Sequence, residues 1–363
     1  SAILLFHLFM YKFKVMPIRI LALIIFFQIQ IACQQQQDVP QHHATKASFK
    51  TIDTGQVMSG ETNPSAENVI FQSVDGGKTW LDAGAGLPKD IESGMLFTSG
   101  GELFFNTAYG LFQKNGYASN PVWQKEVFPD KRIEEIFPGR ASLYGYTAGV
   151  GFFTELQGSG IWIHVGNTLE GRSVRTLVEA PDGSVLVGSD TGIYRSTDGC
   201  KSWKQVFKGD MVTSIHLADK FLFAGGLQGL LRSANDGEHW DLIETNNGRA
   251  YHIGIIESGV TAIFEGVSPY KDAIQNRIKN DLLVSADGGE TWASLDASLP
   301  SDQVIFGIVQ SGDYLFCSLE SGIYRSGDKG GSWQLVHAAK GKERFDVVVE
   351  GKSVYAIRRF NGC

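Results

Sequence analysis

The chain has 363 residues, of which 43% are apolar and 20% charged, with a net charge of −7. That apolar fraction supports a large core and excludes a wholly disordered chain. The acidic balance carries no nucleic-acid footprint, and 43 glycines beside 10 prolines without a Gly-X-Y period exclude collagen and point to many tight turns.

The N-terminal text reads as an export signal. Arg19 supplies positive charge, joined by Lys12 and Lys14 if Met10 rather than Met16 is the start. An apolar run from Ile20 to Phe27 follows, then Ala32-Cys33, Gln34 to Gln37 and a polar stretch to about Lys46. An apolar run closed by Ala-Cys before a polar tether resembles a bacterial lipoprotein signal, in which the Cys becomes the lipidated first residue. Gln30 departs from that pattern, because such signals prefer Leu there. A cleaved secretory signal and an uncleaved anchor are the alternatives. The expected organisation is a signal over 1–33, a tether over 34–63 and one folded domain over 64–363. With Cys33 lipidated, Cys200, Cys317 and Cys363 remain, too few for a disulfide framework, and Cys317 reads as a small core residue. No cysteine pair has zinc-site spacing, and no pattern asks for a cofactor.

From about residue 68 the chain repeats. Five segments share Ser-x-Asp-x-Gly-x-Thr/Ser-Trp, from Ser73 to Trp80, Ser196 to Trp203, Ser233 to Trp240, Ser285 to Trp292 and Ser326 to Trp333. Their acids are Asp75, Asp198, Asp287 and Asp328, with Asp236 displaced by one position. Weaker copies run from Gly110 to Trp123 and from Gly151 to Trp162. All seven tryptophans fall in these repeats, spaced 37 to 52 residues apart. A period near 40 containing several strands predicts a β-propeller.

The clearest unit divides into four strands. Val174 to Ala180 is an apolar run, and Pro181-Asp182-Gly183 turns it into Ser184 to Gly188. Residues 189–192 turn again into Ile193 to Ser196. Asp198 to Lys201 then lead into Trp203 to Phe207. In the motif, a short carboxylate collects backbone N–H groups and glycine takes positive φ, while the Trp packs between strands with its N–H on a carbonyl. The motif acids are therefore expected to be structural. Phe345 to Glu350 and Ser353 to Arg358 read as strands one and two of a blade, and Asn68 to Ala83 as strands three and four. Joined, they make a seventh blade and close the ring.

The motif resembles the Asp-box, or BNR, repeat over about residues 68 to 358. The resemblance implies an all-β, seven-bladed propeller of four-stranded antiparallel blades. It leaves function open, since similar repeats occur in sialidases, xyloglucanases, the sortilin ectodomain and photosystem II assembly factors. A sialidase would need an arginine triad, a Tyr–Glu nucleophile pair and an Asp acid. The Arg-Ile-Pro motif that normally precedes the first Asp-box is missing between Lys46 and Ser73. Arg195, Arg232 and Arg325 each sit one residue before a repeat serine, and such recurrence marks them as structural.

In such propellers the ligand face lies opposite the Asp-box turns. The long connection from Phe264 to Leu282 carries Tyr270, Lys271, Arg277 and Lys279, a basic island in an acidic chain and a candidate binding loop. Aligning the starts of the innermost strands gives a second candidate, a polar channel ring of Glu92, Glu134, Arg175, Thr213, His252 and Asp346. The expected function is non-catalytic binding of an extracellular or periplasmic protein or glycan by a lipid-anchored module of the cell envelope. The alternative is an extracytoplasmic glycoside hydrolase.

Overall fold

The structure, a computed structural model, describes residues 69–114, 122–126, 133–140, 142–156, 159–169, 172–244, 248–265 and 280–360. Tyr270, Lys271, Arg277 and Cys33 lie outside the described residues. Seven four-stranded antiparallel sheets make up a β-propeller, and the described residues contain no helix. Six blades are continuous in sequence. In chain order they span 95–125, 135–166, 174–208, 212–244, 249–294 and 305–338, and are numbered 1 to 6 here. Blade 7 pairs Glu343–Glu350 with Ser353–Phe360, then Ile70–Ser73, then Leu81–Asp82. The ring is therefore closed by both chain regions, in the register Ile70↔Ile357 to Ser73↔Val354. The inner strand Glu343–Glu350 also meets Met95–Ser99 of blade 1.

A single blade is apolar on both faces and cannot bury either alone. The core accordingly lies between blades. Seven hydrophobic clusters occupy the seven junctions, such as Phe223 and Leu230 of blade 4 with Ala250, Ile253 and Phe264 of blade 5. Each such side chain withdrawn from water is worth about 1.5–3 kcal/mol, so every blade depends on both neighbours.

The repeat turns are built as their chemistry suggests. Ser73 Oγ donates to Asp75 Oδ1 at 2.9 Å and accepts the Gly77 N–H at 2.8 Å. Asp75 Oδ1 also accepts the N–H groups of Lys78 and Thr79, both at 3.0 Å, while Thr79 Oγ1 donates to Oδ2 at 2.6 Å. Asp198 and Asp287 hold the same arrangement, and Asp328 differs only in that the Gly331 N–H donates to the Asp328 backbone carbonyl, at 3.2 Å. Two successive positive-φ residues follow each acid. Cys200 takes φ +68° where the first repeat has Gly77, and the thiol is buried.

One motif differs from expectation. In the third repeat Asn235, not Asp236, accepts from Ser233 Oγ and from the His239 N–H, both at 3.0 Å. Asp236 occupies the first positive-φ position, at +53°. An amide oxygen can anchor the turn as a carboxylate does, and Asp tolerates the left-handed region better than most residues.

Candidate functional site

The inner strands of blades 3 to 6 each carry a β-bulge near their start, leaving Arg175, Thr213, Tyr251 and Phe306 outside the ladder. A bulge re-aims the side chain it carries. The expected polar ring therefore divides. His252 pairs with Ile263 and Asp346 with Ile357, which sets these two at one level of the channel. Arg175 and Thr213 stand one residue earlier, at the level of Tyr251. Glu134 is exposed and accepts the Ala148 N–H of its own blade at 3.1 Å, and Glu92 precedes its inner strand.

The channel level holds a chain of titratable groups. Asp346 pairs with Arg359. Burial pushes the His252 imidazole below its usual range, against the opposing pull of Asp346 and a hydrogen bond to the Ile308 backbone. Gly307 makes room for this ring, since a Cβ there would lie 3.3 Å from His252 Cε1. His216, missed in the sequence alignment, sits further along the same wall. Burial lowers it to about 4, with His252 adding to the effect. At neutral pH both imidazoles are uncharged and Asp346 is matched by a guanidinium. That makes a polar lining whose charges are already balanced.

The recurrent arginines tie blades together. Arg195 Nε donates to the Asp236 carbonyl at 3.0 Å, Arg232 Nη1 to the Gly288 carbonyl at 2.8 Å and Arg325 Nη1 to the Gly76 carbonyl at 2.7 Å. Each acceptor belongs to the repeat turn of the next blade. Arg232 also lies over the Phe221 ring and Arg325 over the Tyr314 ring, at 5.0 and 4.8 Å from the centroids. These are interblade straps, as their recurrence implied.

A cleft of about 640 Å³ opens between blades 5 and 6. It lies on the face of the repeat turns, opposite the face that the family resemblance favoured. Glu257 and Ser258 of one hairpin turn, Gln310, Asp313, Tyr314 and Leu315 around the next, and Gly327 and Lys329 of a repeat turn line it. Gln310 bridges the two hairpins: its Oε1 accepts the Glu257 N–H at 2.6 Å and its Nε2 donates to Glu257 Oε2 at 3.3 Å. Both Glu257 and Asp313 are exposed. No motif marks the hairpin residues, because hairpin tips vary freely between repeats.

Solved structures share this fold. The extracellular domain of a putative one-component system from B. thetaiotaomicron aligns with TM-score 0.53 at 13% identity, over 77% of this chain and 40% of that chain. YCF48 bound to a D1 peptide aligns with TM-score 0.51 at 12% identity, over 73% of this chain and 94% of that one. An ancestral GH74 enzyme aligns with TM-score 0.51 at 14% identity, over 75% of this chain and 41% of that one. This chain thus spans about two-fifths of that extracellular domain and of the enzyme. No protein-family model matches the chain, and no curated protein matches it. Identities this low speak to the fold alone.

Proposed function

We propose that this protein is an exported, lipid-anchored β-propeller of the Asp-box type that binds a protein or glycan at the cell envelope without catalysis. The observation that carries the reading is the placement of the carboxylates. The repeat acids are engaged in turns, Asp346 is matched by Arg359, and Glu257 and Asp313 stand exposed beside a cleft. A glycosidase needs one carboxyl kept protonated by burial next to one that stays ionised. Among the described residues, burial beside Glu155 and Glu102 raises Glu126, but the cavity that Glu126 and Glu155 line holds only about 20 Å³, too little for a sugar ring, whereas Glu257 and Asp313 at the open cleft have the exposure of recognition groups. Two neighbours support the reading, one an extracellular domain and the other a propeller of similar span carrying a peptide. Export and anchoring rest on the Ile20 to Phe27 run and Ala32-Cys33. Glycan and peptide arrays probed with the purified chain test the binding role, and the same preparation is offered chromogenic glycosides. Array binding without turnover is expected, and turnover would replace this reading with the hydrolase. Fatty-acid labelling that survives Cys33→Ser would remove the lipid anchor.

A further inference from the structure

We infer that the cleft between blades 5 and 6 is an arginine-recognition site, which takes a guanidinium side chain presented by a partner protein. This rests on the binding-module reading and specifies its partner chemistry. At the junctions of blades 3 with 4, 4 with 5, and 6 with 7, an arginine preceding the repeat serine reaches the carbonyl at the first positive-φ residue of the next turn. At two of them a glutamate of that turn adds an ion pair, through Glu238 at 3.6 Å and Glu290 at 2.6 Å. At two of them an aromatic residue at the start of the second strand supports the guanidinium.

Blade 5 has neither part of this device. Val284 precedes its repeat serine, paired with Thr261 just as Arg232 pairs with Phe223 and Arg325 with Phe316. Gly259 stands where blades 4 and 6 carry Phe221 and Tyr314. It is held to glycine by φ +135° and by the Ser285 carbonyl, 1.9 Å from where a Cβ would be. The cleft opens at this junction, where no strap crosses, and Ser258 beside Gly259 lines it. Lys329, the residue whose carbonyl corresponds to the strap acceptors, lines it. Around that turn stand acceptors, the carboxylates of Glu257 and Asp313 and the side-chain oxygen of Gln310, while the Lys329 ammonium is the opposing cation. The site thus keeps the turn residue whose carbonyl the straps use, while Gly331 stands where the other turns carry Glu238 and Glu290, and the hairpin carboxylates of Glu257 and Asp313 take that role for an arginine supplied from outside. A planar guanidinium suits it better than an ammonium, because its fork can bond a backbone carbonyl and a carboxylate together.

The test is a saturation-transfer NMR titration of the full chain with three peptides, Ac-Gly-Gly-X-Gly-Gly-NH2, where X is arginine, lysine or citrulline. Arginine should bind at least about tenfold tighter than its neutral isostere citrulline, with lysine between them. The double variant Glu257→Gln, Asp313→Asn should remove that difference while preserving the Gln310 hydrogen bonds. Val284→Arg should supply an internal strap, abolish peptide binding and raise the unfolding midpoint. If Val284→Arg does not fold, the peptide series and the double variant decide. Equal binding of arginine and citrulline peptides, or an unchanged double variant, would overturn the assignment. If an array ligand then still binds the double variant at full strength, the binding module stands and only this cleft is wrong. If no array ligand binds either, both readings fall.

Discussion

Asn235 and Asp236 show how one residue of displacement changes a role. The third repeat keeps its turn because an amide oxygen sits where the other repeats have a carboxylate, at 3.0 Å from the donors on Ser233 and His239. Asn235→Ala should therefore destabilise the chain by about 1 kcal/mol, the usual effect of losing a side-chain acceptor for orphan N–H groups. Asp236→Gly should be neutral or slightly stabilising, since glycine takes φ +53° without strain. Chemical denaturation of both variants checks this, and the reverse order would restore Asp236 as the anchor. Protonation separates two further classes of residue. His216, His252 and His337 are all held below the usual histidine range, chiefly by burial. Their unfolded forms, with pKa near 6.5, bind protons that the folded forms refuse, so stability rises with pH across this interval. It is lost as pH falls from about 6.5 toward the His216 value of about 4. The turn aspartates act lower. Hydrogen bonds from Ser202 hold Asp198 at about 2, so their contribution disappears only as pH falls below about 4. Denaturant midpoints from pH 7.5 to 3 should thus show two descending steps. His216→Gln should shrink the upper step, and an unaltered upper step would show that these histidines are not its source.

At the level of the strand and turn, burial ranks the tryptophans differently from motif quality. Trp123, Trp162 and Trp240 are buried at 3%, 9% and 5% exposure, although the first two lie in degenerate copies, while Trp203 and Trp292 are only half-buried. A strong motif reports a well-formed turn. Ring burial is decided by the neighbouring blade, which the motif does not encode. Trp123 Nε1 also donates to the Ala83 carbonyl at 2.8 Å, whereas Trp203 Nε1 is buried without an acceptor. Trp240→Ala should cost about 3–5 kcal/mol. Trp203→Phe should cost under about 1 kcal/mol, because it removes an unsatisfied donor together with little apolar area. Equal losses for the two would refute a ranking by burial. The same logic explains the channel. Strand starts can be aligned by their apolar residues, but one extra residue in a bulge leaves no trace in composition, so Arg175 and His252 aligned as equivalents when they stand one residue apart. The interblade straps were legible as a recurring Arg before Ser. Their acceptors were not, because a backbone carbonyl has no sequence identity. The cleft at blade 5 was hidden for a related reason, since the missing strap beside it leaves only a valine and a glycine, which attract no notice in a list of polar residues.

For the whole molecule, the decisive feature is that both ends of the domain build one blade. His337 of blade 6 lies against Phe71 and Trp80 of the early segment and Phe345 of the late strand, at centroid distances of 5.0, 5.1 and 4.7 Å. The junction of blades 6 and 7 therefore needs residues some 270 positions apart in the chain. Such closure makes the ring a single cooperative body, because opening blade 7 bares the inner edge of Ile70–Ser73 and one face each of blades 6 and 1. Deleting residues 343–363 should lower the unfolding midpoint by far more than removing Leu81–Asp82, an exposed two-residue outer strand. The direct check is a cysteine pair at Gln72 and Tyr355, which face each other in the ladder. Oxidation should crosslink them within one chain, leave the mass of a monomer and raise the midpoint, since a bridge between such distant residues removes much of the unfolded chain's freedom. The truncation should in turn abolish the single transition and leave a broad one, as blades unfold from the open edge. A truncated chain that unfolds at the original midpoint, or a crosslink that forms only between molecules, would show that the ring is not shut by these strands.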